Sequence, residues 1–251
     1  MQGFGAELKS WRQTRRQSQL DLALAAEVSA RHISFLETGR ANPSRDMVLR
    51  LSAALLLSPE ASNRLMSAAG HTPAYGARSL SDAEMAPLRA AVDWTLERHA
   101  PYPAMALGRH WQLIRLNAPA EQLLAATGLG EGDSFLEAFL ESDALRARID
   151  NLAELERLLL LRLRSELLHF GRDAVLEHAV ARLQARQRDL SAHDSAPLPP
   201  MIPARYRVGG RVLSFFSAVS QFGSVEDIAL CDLRIESLFP ADEATRQALL
   251  S

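Results

Sequence analysis

The chain has 251 residues, of which 47% are apolar and 23% charged, a composition typical of a folded globular protein and not of a disordered one. Its apolar runs, such as 53–57 and 158–161, are far shorter than the roughly 20 residues of a membrane span. The first residues lack the basic start and apolar core of a secretory signal, and Cys231 is the only cysteine, which excludes a disulfide framework. The sequence therefore predicts a cytoplasmic protein without membrane association.

The net charge of −2 conceals an asymmetry along the chain. Residues 1–70 contain nine basic and six acidic side chains, whereas the remainder contains 19 and 24. A basic segment joined to an acidic one indicates that the N-terminal part binds a polyanion.

Residues 1–70 show helical periodicity and no strand-like alternation, which predicts an all-α domain of five helices. The first helix is predicted from Phe4 to Arg16, with Leu8 and Trp11 on its buried face. Serine can accept a hydrogen bond from the first turn of a helix, and one serine stands where each of the other four helices is predicted to start. These serines are Ser18, Ser29, Ser44 and Ser58.

The second and third helices have the spacing of a helix-turn-helix. Two helices that cross steeply through a three-residue turn need a small side chain where they touch, and Ala23 provides it. Val28 in the turn and Ile33 and Leu36 on the facing side supply the apolar contacts. The alternative is an ordinary αα-hairpin in a small helical bundle.

The same stretch closely resembles the Cro/repressor type of DNA-binding domain, the XRE family, from Gln19-Leu20-Asp21-Leu22-Ala23 through Ser29 to Pro43-Ser44. One departure is Glu27, at a turn position that is commonly glycine in this family. A left-handed conformation at Glu27 costs about 1 kcal/mol.

Position within the motif predicts the DNA contacts. The second helix of a helix-turn-helix enters the major groove by its N-terminal half, and the candidates there for base contacts are Ser29, Ala30, Arg31, His32, Ser34 and Phe35. Arg31 is favoured because a guanidinium pairs with guanine O6 and N7. Residues at neighbouring helix starts are candidates for phosphate contacts, which position a protein without specifying sequence. They are Ser18, Gln19, Arg40, Ser44 and Arg45.

Residues 71–81 are rich in turn formers and are interpreted as a linker, and residues 82–251 as a second domain of α+β type with an antiparallel sheet. Helices are predicted over 82–98, after Asn117 and over 143–188, the last with a break near 169–171. Strands are predicted at 105–107, 111–116, 205–208, 211–219 and 227–235, the third and fourth joined by Gly209-Gly210.

Alternating apolar residues on these strands suggest one apolar sheet face, which a leucine-rich helix could cover so that a ligand cavity remains between them. The candidate pocket residues are Met105, Leu107, Trp111, Leu113, Phe215, Ser217 and Val219. The alternative is that this face belongs to a filled core.

Beyond residue 80 the sequence resembles the MmyB-like family of regulators, whose C-terminal part is a PAS-like ligand-binding domain. The matching blocks are Val28–Arg40 with Pro43-Ser44-Arg45, Tyr102-Pro103-Ala104 with Arg109-His110-Trp111, Leu213–Ser217 with Phe222-Gly223, and Ile235–Asp242. The resemblance implies a PAS-like sheet flanked by helices that binds a small, fatty-acyl-like effector.

An enzyme is not expected, because the sequence has no G-x-S-x-G, H-E-x-x-H or P-loop motif. Gly128, Gly130 and Gly132 do not match the G-x-G-x-x-G pattern of a dinucleotide loop. The third glycine of that pattern would stand at position 133, where this chain has Asp133. No cofactor or metal is predicted.

The interpretation is a regulator that binds double-stranded operator DNA as a homodimer and responds to a small apolar effector. The alternative is a C-terminal domain that serves only for dimerisation or protein interaction, which the leucine succession from Leu145 to Leu163 would also fit.

Overall fold

The computed structural model describes residues 3–76, 82–188, 201–222 and 228–250. They form two compact units. The first unit contains the N-terminal helices together with Ser165–Asp173, and the second contains most of the remaining chain. Part of the predicted linker, 77–81, lies outside the described residues, and the predicted domain boundaries stay a prediction.

The N-terminal helices confirm the five-helix prediction. They are α1 (Phe4–Thr14), α2 (Gln19–Ala25), α3 (Ala30–Glu37), α4 (Arg45–Ala54) and α5 (Pro59–Ala68). Each of α2 to α5 begins after a serine whose hydroxyl accepts a hydrogen bond from a backbone N–H three residues later, which is the role of a good N-cap. Leu8, Trp11, Ile33 and Leu36 are buried in the core between these helices, as their spacing predicts.

The second unit has the predicted mixture of helices and an antiparallel sheet. Its helices are α6 (Ala86–His99), α7 (Ala118–Leu124), α8 (Phe135–Glu141), α9 (Asp143–Arg146), α10 (Leu152–Phe170), α11 (Ala174–Arg188), α12 (Ile228–Asp232) and α13 (Glu243–Leu250), with the last turn of α10 belonging to the first unit. Its strands are β1 (Ala104–Leu107), β2 (Leu113–Leu116), β3 (Ala204–Val208), β4 (Arg211–Gln221) and β5 (Arg234–Pro240).

The sheet has the order β2-β1-β5-β4-β3, and every neighbouring pair is antiparallel. The β3–β4 hairpin turns at Gly209 and Gly210, both with positive φ, which confirms this junction and suits the turn types that connect twisted strands. The centre of the sheet pairs residues that are far apart in sequence, such as Ala106 with Ile235.

The strand prediction over 227–235 was wrong for most of its length. Residues Ile228–Asp232 form α12, and β5 begins only at Arg234 and continues to Pro240. A short apolar run does not by itself distinguish a strand from a buried helical turn. Here the pairing of β5 with both β1 and β4 decides where the strand lies.

The long helix predicted over 143–188 is interrupted twice. A break near residue 171 was predicted, but a second interruption separates α9 from α10. There the chain turns toward β3, because the Asp150 N–H donates to the Arg205 carbonyl at 2.7 Å and the Asn151 amide donates to the Pro203 carbonyl at 2.9 Å. Among the described residues, no helix is long and apolar enough to cross a membrane.

Candidate functional site

The connection between α2 and α3 has the compact geometry of a helix-turn-helix. Ala23 is only 1% exposed, and its carbonyl accepts a hydrogen bond from the Val28 N–H at 2.9 Å. Glu27 adopts φ +55°, so the left-handed conformation considered for this position is present. The Glu27 side chain is exposed, and its left-handed backbone costs about 1 kcal/mol relative to glycine.

The N-terminal half of α3 is accessible. Ser29 and Arg31 are exposed, whereas the other predicted base-contacting residues are half-buried: Ala30, His32, Ser34 and Phe35. The Ser29 hydroxyl accepts from the His32 N–H at 3.1 Å and is therefore engaged as the helix cap.

The Phe35 ring lies between two cations. The Arg31 guanidinium is 5.1 Å and the Arg40 guanidinium 6.0 Å from the ring centroid, distances at which a cation is attracted to an aromatic face. Phe35 is neither enclosed in the core nor fully free. It contacts Arg31, the exposed arginine of α3.

The predicted phosphate-contacting residues differ in their availability. Arg40 and Arg45 are exposed cations. The Ser18 and Ser44 hydroxyls are occupied as caps of α2 and α4, accepting from the Asp21 and Met47 N–H groups. These two serines therefore mark helix N-termini, where backbone N–H groups and the helix dipole favour an anion.

Gln19 is held by an ion pair that the sequence analysis did not anticipate. Arg12 donates two hydrogen bonds to Glu37, from Nε to Oε1 at 2.6 Å and from Nη2 to Oε2 at 3.0 Å, and the Gln19 Nε2 donates to Glu37 Oε2 at 2.8 Å. The Glu37 side chain is only 3% exposed. Burial opposes the ionised form, but the hydrogen bonds from Arg12 and Gln19 outweigh it and lower the pKa of Glu37. The cluster joins α1, α2 and α3.

Gly5 is the second residue that sequence reasoning missed in this unit. A Cβ at Gly5 would lie 2.5 Å from the Glu37 carbonyl oxygen and 2.6 Å from that of Leu36, so α1 approaches the end of α3 more closely than any side chain permits. A glycine in the first turn of a predicted helix was the available signal, because glycine is otherwise unfavourable there.

The second unit contains an apolar cavity of about 120 Å³ beside the sheet. Strand residues Tyr206, Phe215, Ser217 and Leu238 form one side, while α8 and α10 form the other. The helical side consists of Phe135, Phe139, Leu155, Leu158, Leu159 and Arg162. This volume is close to that of an engineered lysozyme cavity of about 150 Å³ that binds benzene, so the apolar space is of the right size for part of a small organic molecule.

Charged groups stand at one side of this cavity. The Arg162 guanidinium is 4.3 Å and that of Arg234 is 4.9 Å from the Trp111 ring centroid, and Arg162 lies 3.7 Å from a Glu236 carboxylate oxygen. Arg162 and Glu236 are themselves lining residues of the cavity, whereas Arg234 contacts the lining residue Trp111. Burial, with the Glu236 charge as a smaller cause, raises the pKa of Tyr206, so its hydroxyl stays neutral.

Three of the predicted pocket residues meet at this cavity: Trp111, Phe215 and Ser217. Met105, Leu107 and Leu113 are instead buried elsewhere in the second unit and are not among the lining residues, and Val219 is 45% exposed. Their part in ligand binding stays a prediction.

The expectation of one alternating apolar face was wrong for two reasons. β1 is buried on both faces, and β4 is exposed from Ser217 onward. Trp111 lies in a 3-10 turn and not in a strand, with φ +58°, and the preceding His110 also has positive φ. This turn, rather than strand alternation, places the Trp111 indole at the cavity.

The walls contributed by α8 and α10 were not predicted as pocket residues. The leucine succession on α10 was recognised in the sequence but left open between a subunit interface and a covering helix. Within the described ranges, no group of three or more His, Cys, Asp or Glu side chains could hold a metal ion.

The fold and these two sites define a class of protein: a helix-turn-helix followed by an α+β domain with a cavity. Residues 4–65 match the family model of a helix-turn-helix domain, and residues 88–251 match that of the MmyB-like transcription regulator ligand binding domain. The second match spans more than half of the chain, which therefore belongs to the MmyB-like transcription regulator family. No curated protein matches it. The chain is a DNA-binding regulator with a ligand-binding domain.

Proposed function

We propose that this chain is a one-component transcription regulator of the XRE type that reads operator DNA with α3 and senses a small apolar acid in the cavity of its PAS-like second unit. The observation that carries this proposal is the cavity itself, which combines aromatic and leucine walls with the Arg162 guanidinium group. A fatty-acyl-like effector matches both features, since its chain would occupy the apolar space and its carboxylate would face Arg162.

On the DNA side, Arg31 is proposed to read a guanine. Its exposed position at the N-terminal half of α3 and its contact with Phe35 support this role. Arg45, at the exposed start of α4, is proposed to contact a phosphate. Ser29, Ala30, His32, Ser34 and Phe35 complete the proposed base-reading surface, and Ser18, Gln19, Arg40 and Ser44 the phosphate-contacting one.

A pair of substitutions separates these two roles. The wild-type protein first selects DNA from a random-sequence pool, and binding to the selected and to a scrambled fragment is then titrated over a range of salt concentrations. Arg31→Ala is expected to cost about 1–3 kcal/mol on the selected fragment alone and to relax one base position, whereas Arg45→Ala weakens both fragments and flattens the salt dependence. Equal losses on both fragments for Arg31→Ala contradict the base-reading assignment.

The effector proposal is tested without assuming an identity. Native mass spectrometry of the purified protein, followed by denaturing extraction, detects any co-purified small molecule. Thermal shifts with sodium hexanoate, octanoate and decanoate are then compared with hexylamine, which has a similar chain and the opposite charge. We expect stabilisation by the acids and none by the amine.

Arg162→Met probes the charge beside the cavity. We expect it to weaken acid binding about tenfold, since a charge-assisted hydrogen bond contributes about 1.5–3 kcal/mol. Arg164→Met is the matched control, because Arg164 is on the same helix but exposed and does not line the cavity. If the protein binds none of the acids, the effector proposal is contradicted, and the second unit is better explained as a dimerisation or protein-interaction module.

A homodimer in the cytoplasm is part of the proposal, because helix-turn-helix proteins commonly bind two half-sites about one helical turn of DNA, roughly 34 Å, apart. Native mass spectrometry at micromolar protein concentration, with and without the selected DNA, tests it. A monomer under both conditions contradicts it. The second unit is proposed to bind its effector without transforming it, as the regulator domains of this family suggest.

A further inference from the structure

Helix α10 belongs to both compact units. Its first thirteen residues, 152–164, are part of the second unit, and its last six, from Ser165, are part of the first. In the second unit, Leu155, Leu159 and Arg162 form part of the cavity wall. A continuous hydrogen-bonded helix therefore begins at the cavity and ends among residues of the DNA-binding unit.

The end of α10 is held by two arginines of that unit. Arg15 Nη1 donates to the Leu168 carbonyl at 2.6 Å, and Arg64 Nη2 donates to the Phe170 carbonyl at 2.8 Å. The last carbonyls of a helix have no partner within the helix, and cations are favoured at its negative end. Both arginines therefore serve α10 as C-terminal capping groups.

Arg15 also connects this contact to the helix-turn-helix domain itself. Its Nε donates to the Leu55 carbonyl at 2.9 Å and its Nη2 to the Leu56 carbonyl at 3.1 Å, where α4 ends. The Arg15 guanidinium is 5.5 Å from the Trp11 ring centroid, and Trp11 is a buried residue of α1. One side chain thus contacts α10, α1 and the end of α4.

Gly171 ends α10 against the same tryptophan. It adopts φ +75°, and its N–H donates to the Leu167 carbonyl at 2.9 Å. A Cβ at this position would overlap the Trp11 indole. Only glycine permits both this backbone conformation and this approach, so the end of α10 packs closely against Trp11 of α1.

We propose that α10 is the element that transmits the state of the cavity to the helix-turn-helix, through the contact of Gly171 with Trp11. The inference rests on the proposed function in that the cavity is taken to receive the effector. A group that enters the cavity acts on Leu155, Leu159 and Arg162. Because packed helices shift as units between discrete arrangements, the last turn of α10 follows, and Trp11 and Arg15 register the shift. Unequal effector affinity for the two arrangements then changes DNA binding.

The test fills the cavity by substitution, so that it does not depend on a known effector. Ala204 lines the cavity from β3, and Ala204→Leu places a larger side chain there without altering α10. DNA affinity is measured for the full chain on the fragment selected by the wild type. We expect Ala204→Leu to change the Kd at least fivefold in either direction, the lower end of typical allosteric couplings.

The same cavity substitution is then made in two glycine variants. Gly171→Ala disrupts the packing of Gly171 against Trp11, and we expect the effect of Ala204→Leu on Kd to fall below twofold in that background. Gly128→Ala is the matched control, because Gly128 has the same φ of +75° but nothing within 4 Å of an added Cβ. In the Gly128→Ala background the fivefold effect is expected to persist. Circular dichroism of each variant confirms that it is folded.

The outcomes distinguish this inference from the proposed function. An equal effect of Ala204→Leu in the wild-type and Gly171→Ala backgrounds, or no effect in the wild type, overturns the role of α10 while DNA binding stands. Failure of the wild type to enrich any DNA rejects both. If Gly171→Ala abolishes the effect of Ala204→Leu but the protein binds none of the acids, the role of α10 is supported and the proposed effector class is rejected.

Discussion

The two units differ in how far apart in sequence the residues are whose hydrogen bonds define their elements. In the DNA-binding unit, each of α2 to α5 is started by a serine that bonds to an amide three residues later. In the second unit, the central strands pair residues as distant as Ala106 and Ile235. The comparison shows why local patterns located every N-terminal helix yet misplaced a strand of the sheet.

The largest expected effect tests the dependence of the second unit on long-range packing. Phe215 is 1% exposed and pairs with Ala204 and Pro240 across the sheet. We expect Phe215→Ala to lower the unfolding free energy of the second unit by about 4 kcal/mol, through lost burial and the cavity left behind. Urea titration followed by hydrogen exchange of β4 peptides measures it.

Phe216→Ala is the matched control for that substitution. Phe216 is half-buried on the opposite face of β4 and stacks on Phe239 with ring centroids 5.3 Å apart. We expect a loss of only about 1–2 kcal/mol, since a partly exposed ring loses less burial on truncation. Comparable losses for both phenylalanines would falsify the assignment of the unit's core to the Phe215 face.

Unlike the serine caps, the buried ion pair of the DNA-binding unit is a long-range interaction, because Arg12 and Glu37 lie on different helices, α1 and α3. Glu37→Gln leaves Arg12 without its charged partner, and we expect a loss of about 3 kcal/mol. Glu243→Gln is the control, because Glu243 forms a similar two-bond pair with Arg246 on an exposed surface. No measurable change in stability is expected there.

Acid should weaken the same pair. The pKa of Glu37 is lowered in the folded protein despite burial, by hydrogen bonds from Arg12 and Gln19. Its stabilising contribution is therefore complete above the unfolded pKa of about 4.3 and is lost as the pH falls through the folded value. Urea midpoints measured from pH 7 to pH 3 should decrease more for the wild type than for Glu37→Gln. Parallel curves contradict this assignment.

The smallest expected effect concerns a purely local feature. Glu27 is exposed and has φ +55°, so Glu27→Gly should stabilise the DNA-binding unit, by up to about 1 kcal/mol. Ala25→Gly, two residues earlier at the end of α2, should instead destabilise it by about 1 kcal/mol. Thermal unfolding of both variants checks the opposite signs.

The exposure of Ser29 and Arg31 at the start of α3 could be predicted from sequence, because turn length, capping serines and the small Ala23 determine how α2 and α3 cross, whereas the DNA contacts themselves stay a prediction. The cavity could be predicted only in part. Trp111, Phe215 and Ser217 were identified, but the residues of α8 and α10 were not, since no local pattern indicates which helix covers a sheet. Val219 follows the predicted alternation and yet is exposed, because β4 extends beyond its packed region.

Patterns between near neighbours are sufficient to predict the starts of α2 to α5 and the Gly209-Gly210 hairpin, since each depends on hydrogen bonds or turns within a few residues, and local periodicity indicates the α part followed by the α+β part. Tertiary contacts are required for four other features: the start of β5, the interruption between α9 and α10, the Arg12–Glu37–Gln19 cluster and the approach of Gly171 to Trp11. These depend on which distant segments meet, and their energies arise only when the chain has already brought those segments together.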